Sequence, residues 1–437
     1  MSSFERSSGC KMHRDPASDK CKFLPLGGWR NTLQQEDVPF PFFRISEHLD
    51  MLGVTLKASY TATRGANGDE LVTRMRHTVG PWRAGRHMEL NMRPHLINST
   101  AFSKMYHRCT TVDLRVGDSK NITSIIKSWL YADMLEKPGI LALHRQPVAG
   151  GLGLLCIQRR ALAFLITSFL ETSCNPAFQR NLYHEWLLRY HVLGERGVLP
   201  EPTIPPYLRT PQSFRNNFFS TIRLLKDSTN LEQVKVKEVY NFLMSDVIMT
   251  DEVDGGGPRT LLPLRVELAS PGTDWPRSWR LARQQGLGPT LTSFLFKLLH
   301  QLLPIGERVG RIFPTLSPLC TLCQEGVVES LQHALFTCPA NQGIPALLLT
   351  TMRQYLPFIT PAQVLTLNFE VTGSLELPLT WTIASFFLSL WSKRLEKKRI
   401  TAYKIRSELE ASCRILQETK IPNFHGTIHR IISTMFT

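Results

Sequence analysis

Four soft metal ligands crowd into nineteen residues of this chain: Cys320-Thr-Leu-Cys323, then His333, then Cys338, spaced Cys-x2-Cys-x9-His-x4-Cys. A two-residue gap lets one turn aim both thiolates at a single tetrahedral centre at about 2.3 Å, and three sulfurs with one imidazole nitrogen suit zinc above the hard cations. Four protein ligands close the coordination sphere, so the sequence predicts one structural zinc. A metallohydrolase, which needs an open position for water, ranks last. Glu329 stands four residues before His333, and on a helical turn its carboxylate would accept the imidazole's free N–H. Leu331 and Leu335 would anchor that turn in a small core. Pro339 keeps Cys338 out of helical conformation, because the residue before proline is pushed to an extended one.

The remaining cysteines are scattered, and an odd total of nine excludes a disulfide-stapled secreted framework. With 43% hydrophobic and 20% charged residues in 437, the chain has material for real cores in about two to four folding units, and disorder is excluded as its main description. Met1-Ser-Ser-Phe-Glu-Arg6 lacks the basic-then-apolar profile of a signal peptide, so the expected location is intracellular, nuclear or cytoplasmic. Ala161–Leu170 is too short to span a membrane. Leu377–Trp391 carries Pro378, two Thr and two Ser and falls short of about 20 residues. Both are expected as buried helices. The formal charge of +15 favours a polyanionic partner, most simply nucleic acid, since phosphates reward each added Lys or Arg by counterion release, while an acidic protein partner or a membrane surface would fit the same number.

Five consecutive segments emerge. In 1–65, Lys22–Gly28 reads as a strand entering a Gly turn and Leu49–Leu56 as a second strand, too little to close a sheet. In 66–145 the pattern turns helical and basic. Between Leu71 and Thr110 stand seven Arg or Lys and one acid, Glu89, so the run lacks acids of its own and forms either a solvated face or a phosphate-facing surface. In 146–315 long helices are broken by Pro- and Gly-rich loops. Gly150, Gly151 and Gly153 miss the offsets of a phosphate-binding loop and read instead as a turn that lets Leu152, Leu154 and Leu155 pack. Asp251–Gly257 misses those of a calcium loop and reads as a linker. The ligand cluster marks a zinc-knuckle-like module at 316–345. In 346–437, Trp391–Cys413 interleaves Lys393, Arg394, Lys397, Lys398 and Arg399 with Leu395, Ile400 and Ile405, as an amphipathic helix that binds a protein partner would.

Leu298–Arg308, Cys320-x2-Cys323, Glu329-Ser330-x2-His333 and Phe336-x-Cys338-Pro339 resemble the zinc-binding segment that follows the reverse transcriptase of non-LTR (LINE-type) retrotransposons. Phe4–Met12 and Leu24–Gly27 are similar to the end of that enzyme's palm, Leu49–Val54 to the strand leading to its thumb, and Arg76–Tyr106 to the thumb helices. Ile126–Trp129 and Ala149–Leu154 look like the element after the thumb. The resemblance covers most of 1–345. It implies a mainly α fold, with a small α+β palm remnant at the N-terminus (1–65), thumb-like basic helices (66–145), a helical connector (146–315), the zinc module and a C-terminal helical region.

The resemblance implies RNA-directed DNA polymerase ancestry, but two-metal phosphoryl transfer needs palm carboxylates, and the only relative of the Tyr-Ala-Asp-Asp turn is Tyr131-Ala132-Asp133-Met134, which lies beyond the thumb and has lost its second Asp. The chain is therefore expected to begin just past the catalytic turn, to contain no catalytic residue and to bind RNA or DNA without polymerising alone. Arg74, Arg76, Arg83, Arg86 and Lys104 are the candidate phosphate contacts. Trp82 and Tyr106 are either stacking platforms or buried thumb aromatics. The alternative is a host-retained zinc-containing interaction module without a nucleic-acid role.

Overall fold

The computed structural model describes residues 22–24, 32–37, 44–51, 53–82, 88–132, 140–174, 192, 212–227, 230–231, 233–253, 273–323, 325–371, 373–397, 400–416 and 423–437. They are mainly helical, in line with the expected fold class, and the strands among them are short. Two compact units form, one from 1–82, 98–126 and 155–255, the other from 83–97, 127–154 and 256–437. Compactness thus interleaves stretches that composition orders consecutively.

In the first unit, β1 (Lys22–Phe23) pairs in parallel with β2 (Arg44–Ile45). β3 (His48–Met51) pairs antiparallel with β4 (Val54–Lys57), in register from His48 opposite Lys57 to Met51 opposite Val54. The run Leu49–Leu56, expected as one strand, is therefore a hairpin. Gly53 turns it with a φ of +80°, a value glycine reaches without a Cβ clash. Of the strand expected over Lys22–Gly28, Lys22–Phe23 is strand among the described residues, and Pro25, Leu26, Gly27 and Gly28 lie outside them. Helix α1 (Tyr60–Val79) starts at Ser59, whose Oγ accepts from Ala62 N at 3.2 Å. Its buried Asn67 accepts from Thr55 N (3.1 Å) and donates to Thr55 O (2.7 Å). A side-chain amide thus takes the place of a strand neighbour and ties the hairpin to α1.

Helix α2 (Ser103–Cys109) and α3 (Val116–Leu130, in this unit to Ile126) follow. Then α4 (Ile157–Cys174), α5 (Gln212–Lys226) and α6 (Val236–Val253) close a core of Ala163, Ile166, Leu170, Phe219, Ile222 and Val239. Ala161–Leu170 is accordingly part of a buried helix. The linker expected from Asp251 gives way to helix through Val253, and Gly255–Gly257 lies outside the described residues.

The second unit contains α7 (Trp275–Ala282), α8 (Gly288–Leu299), α9 (Gly306–Ile312), α10 (Ile344–Tyr355), α11 (Pro361–Thr366), α12 (Glu376–Leu395), α13 (Ala402–Ile415) and α14 (Phe424–Met435). Helix α12 is its axis. Leu379, Trp381, Ile383, Ala384, Phe386, Phe387 and Leu390 are buried all round it, with α8, α10, α13 and α14 packed against it. Among the described residues no helix is long and apolar enough to cross a membrane.

Helix α12 stops at Leu395, Lys397 takes a φ of +51°, and Thr401 caps a new helix. The single amphipathic helix expected over Trp391–Cys413 is thus two helices. Their packing divides its residues: Ile400 and Ile405 are buried, Leu395 is exposed, and Lys393 pairs with Glu408 and with Glu396. Lys398 and Arg399 lie outside the described residues.

The glycine turn behaves as a packing device. Gly150 has a φ of +82° and backs onto the Trp279 ring, while Leu152 and Leu154 are buried. A Cβ on Gly151 would stand 1.9 Å from Arg145 O, a backbone atom that cannot step aside. Gly151→Ala is therefore expected to destabilise the second unit by about 1–3 kcal/mol, as overpacking does. Urea denaturation measures it, and an unchanged midpoint would contradict the close approach.

Candidate metal centre and candidate nucleic-acid interface

The segment from Ser317 to Glu329 folds back on itself through a bridge between Leu319 and Val328. Cys320 N donates to Val327 O (2.8 Å) and Glu329 N to Pro318 O (2.9 Å). At the tip, the N–H groups of Leu322 and Cys323 point at the Cys320 sulfur, and that of Glu325 at Cys323. Gly306 lets Pro318 come close, since a Cβ there would meet Pro318 O at 2.6 Å.

The other two donors bracket one π-helical turn, His333–Thr337, which Cys338 N closes by donating to His333 O at 2.8 Å. Leu331 and Leu335 are buried beneath it, and Cys338 is extended (φ −64°, ψ 123°), both as the sequence predicts. Ser330 Oγ accepts from His333 N at 3.1 Å, and Asn341 Nδ2 donates to Ala334 O at 3.0 Å.

All four predicted ligands converge. Their donor atoms lie within 4.8 Å of one another, so Cys320, Cys323, His333 and Cys338 can hold a metal ion. Cys320 Sγ is 3.8 Å from Cys338 Sγ, and Cys323 Sγ is 3.4 Å from His333 Nε2. Ligands at the corners of a tetrahedron with bonds of about 2.0–2.3 Å are about 3.5–3.8 Å apart, so the donors fit one shared ion. Burial works against a Cys320 thiolate, but the Leu322 and Cys323 N–H groups, the His333 ring and the Arg394 guanidinium together hold its pKa down at about 6. At Cys323 the Glu325 N–H acts in the same direction. There burial and the neighbouring Cys320 and Cys338 prevail and push the thiol up. Three sulfurs this close cannot all ionise without a cation among them. Cys109, Cys156, Cys320, Cys323, Cys338 and Cys413 form no disulfide.

Glu329 lies at the centre but not in the expected role. Helical conformation begins only at Leu331, so Glu329 sits in the folded-back segment and does not share a helix face with His333. Its Oε2 accepts from Gly306 N (2.8 Å) and its Oε1 from Arg394 Nη2 (2.5 Å). Arg394 and Asn341 are members of the centre that the ligand spacing gave no hint of. The available signal was periodicity: Ile383, Phe387, Leu390 and Arg394 fall at i, i+4, i+7 and i+11, which puts a cation on an apolar helix stripe.

In the first unit, Arg74, His77, Thr78, Pro81, Trp82 and Lys104 line an open cavity of about 470 Å³. It joins two predicted phosphate contacts to one predicted stacking platform. Arg76 is exposed but, at about 100° per residue, lies some 200° round α1 from Arg74 and is not in the cavity wall. Arg83 and Arg86 lie outside the described residues. Tyr106 is half-buried, with its ring centroid 4.9 Å from that of Phe164 and the Arg160 guanidinium 5.6 Å above it. It is engaged by protein groups on its ring.

The basic run is also less open than its composition implies. Glu70, just before it, accepts from Arg74 (2.7 Å) and Arg108 (2.6 Å), and the Arg108 hydrogen bond holds its carboxyl below the usual range. Buried Arg93 donates to Met88 O (2.9 Å) and Leu130 O (2.5 Å). Tyr131 is fully buried directly after α3, and Asp133 and Met134 lie outside the described residues. No protein-family model matches the chain, and no curated protein matches it either.

Proposed function

We propose that this chain is part of a retroelement-derived reverse transcriptase of the non-LTR type, comprising the end of a palm, a basic thumb, a helical connector and a zinc-knuckle-like module. Its work is to bind RNA or DNA, and polymerisation is not among its activities on these residues alone. The observation that carries this proposal is the convergence of Cys320, Cys323, His333 and Cys338, embedded in the flanking residues that carry the family resemblance. The ion is zinc, because three sulfurs and an imidazole disfavour hard cations, and its contribution is a four-way cross-link. With four protein donors there is no position for an activated water. The cavity of Arg74, Lys104 and Trp82 supplies the grip: two cations for phosphates beside an indole on which a base can stack.

Binding of fluorescent single-stranded RNA and duplex DNA, titrated between about 50 and 200 mM salt, tests the proposal. Affinity is expected to fall linearly on log–log axes. Arg74→Ala and Lys104→Ala should each reduce the slope by about 1. Trp82→Ala should cost about 1–3 kcal/mol with the slope unchanged. Salt-independent binding, or none, would favour the host-retained interaction module.

A further inference from the structure

The metal centre is braced by a side chain from outside its donor segment. Arg394, in the last turn of α12, is 5% exposed. Its Nη2 reaches two acceptors, Glu329 Oε1 at 2.5 Å and Cys320 Sγ at 3.5 Å, and its Nη1 donates to Asn341 Oδ1 at 3.2 Å. Asn341, itself fully buried, donates to Ala334 O at 3.0 Å. One guanidinium thus joins the Cys320 loop to the turn that carries His333 and Cys338.

Charge explains why an arginine is buried here. An unpaired guanidinium costs several kcal/mol to bury, and Glu329 offsets one positive charge. Three thiolates and a neutral imidazole around a divalent ion leave a surplus of one negative charge, poorly screened by water at Cys320 and Cys338, which are buried. Glu329 Oε1, at 3.9 Å from Cys320 Sγ, raises the local excess to two negative charges, of which one guanidinium offsets one. Arg394 is the cation within hydrogen-bond reach of both the sulfur and the carboxylate.

We infer that Arg394 is the counter-cation of the metal centre, a positioning residue that offsets part of the surplus charge at Cys320 and Glu329 and holds the Cys320 sulfur in place, while Asn341 orients the other arm of the guanidinium. This rests on the assignment of the four donors as metal ligands. The planar fork matters as well as the charge, because acceptors on two segments are reached at once, which a lysine ammonium cannot reproduce.

The experiment uses the full chain as wild type, Arg394→Met and Arg394→Lys, each loaded with Zn2+ or Co2+. Zinc retention is read against a chromophoric chelator, and the sulfur-to-cobalt charge-transfer band by absorption. Arg394→Met is expected to weaken zinc binding about ten- to hundred-fold, as loss of an outer partner does. It should also move the band to lower energy, since a sulfur deprived of a cationic donor holds its lone pairs less tightly. Arg394→Lys, which keeps the charge and the aliphatic stem, should fall between Arg394→Met and wild type in both readouts. A loss of affinity with an unmoved band would make Arg394 a packing residue and overturn the inference. If Arg394→Met does not fold, Arg394→Lys decides, and wild-type affinity with a wild-type band overturns the inference. Wild-type protein that takes up no metal overturns the ligand assignment itself, a failure distinct from these.

Discussion

Cys323→Ser is expected to strip the metal from the chain and to unfold 313–330 locally. Wild-type protein should carry about one zinc by elemental analysis and the variant close to none, because a hydroxyl is a poor substitute for a thiolate donor. Structural zinc contributes on the order of 10 kcal/mol to the folding of such a site. Little else is present to replace it. Regular structure between α9 and α10 is limited to the bridge of Leu319 with Val328 and short helical turns, and Phe313, Leu316, Leu319, Val327 and Val328 are all exposed. Apolar burial cannot hold a loop whose apolar residues face water. Cys323 is the informative ligand because it is only half-buried, whereas replacing Cys338, at 2% exposure, would mix metal loss with a packing defect. Amide exchange and limited proteolysis should show protection lost around 313–330 while the α12 core stays protected. Metal-free protein that keeps 316–345 protected would refute the metal-dependent fold.

Phe387→Ala is expected to cost the second unit about 3–5 kcal/mol, the usual range for removing a fully buried phenyl ring. Phe387 is 0% exposed on α12, with its ring edge-on to Phe386 (5.7 Å between centroids) and close to Phe336 (5.5 Å). Phe336 belongs to the turn that presents His333 and Cys338. The same cavity would therefore loosen the helical core and the metal turn together, and zinc retention should fall although no ligand has changed. Phe386→Ala should lower the urea midpoint by a similar amount and affect zinc less, since among the described residues its ring contact is with Phe387. A Phe387→Ala midpoint corresponding to under about 1 kcal/mol, or zinc retention equal to wild type, would break this link between core and centre.

The donors were legible because their constraint is local. Turns bring Cys320 to Cys323 and His333 to Cys338, and Pro339 imposes the extended backbone at Cys338. The long apolar run of α12 was equally legible as a buried helix. Other features depended on a single torsion. Gly53 at φ +80° turns an apparent strand into a hairpin, and Lys397 at φ +51° splits an apparent helix in two. Glu329 was placed near the centre with the wrong partner, because spacing of four means a shared face only where the backbone is helical.

Charge was the least legible property. Composition makes 71–110 a uniform basic run, yet Arg93 and Arg108 are buried on protein acceptors, while Arg74 and Lys104 reach an open cavity beside Trp82. Arg394 looked like one cation of an amphipathic partner-binding helix and is instead buried among the metal donors. Ligand spacing and apolar periodicity act over a few turns of chain, so they were enough to specify which four side chains can share an ion and which helix must be buried. Which cations serve the fold and which face solvent followed instead from long-range packing, because the acceptors that hold them are far away in sequence: Glu70 for Arg108, Leu130 for Arg93, and Cys320 and Glu329 for Arg394.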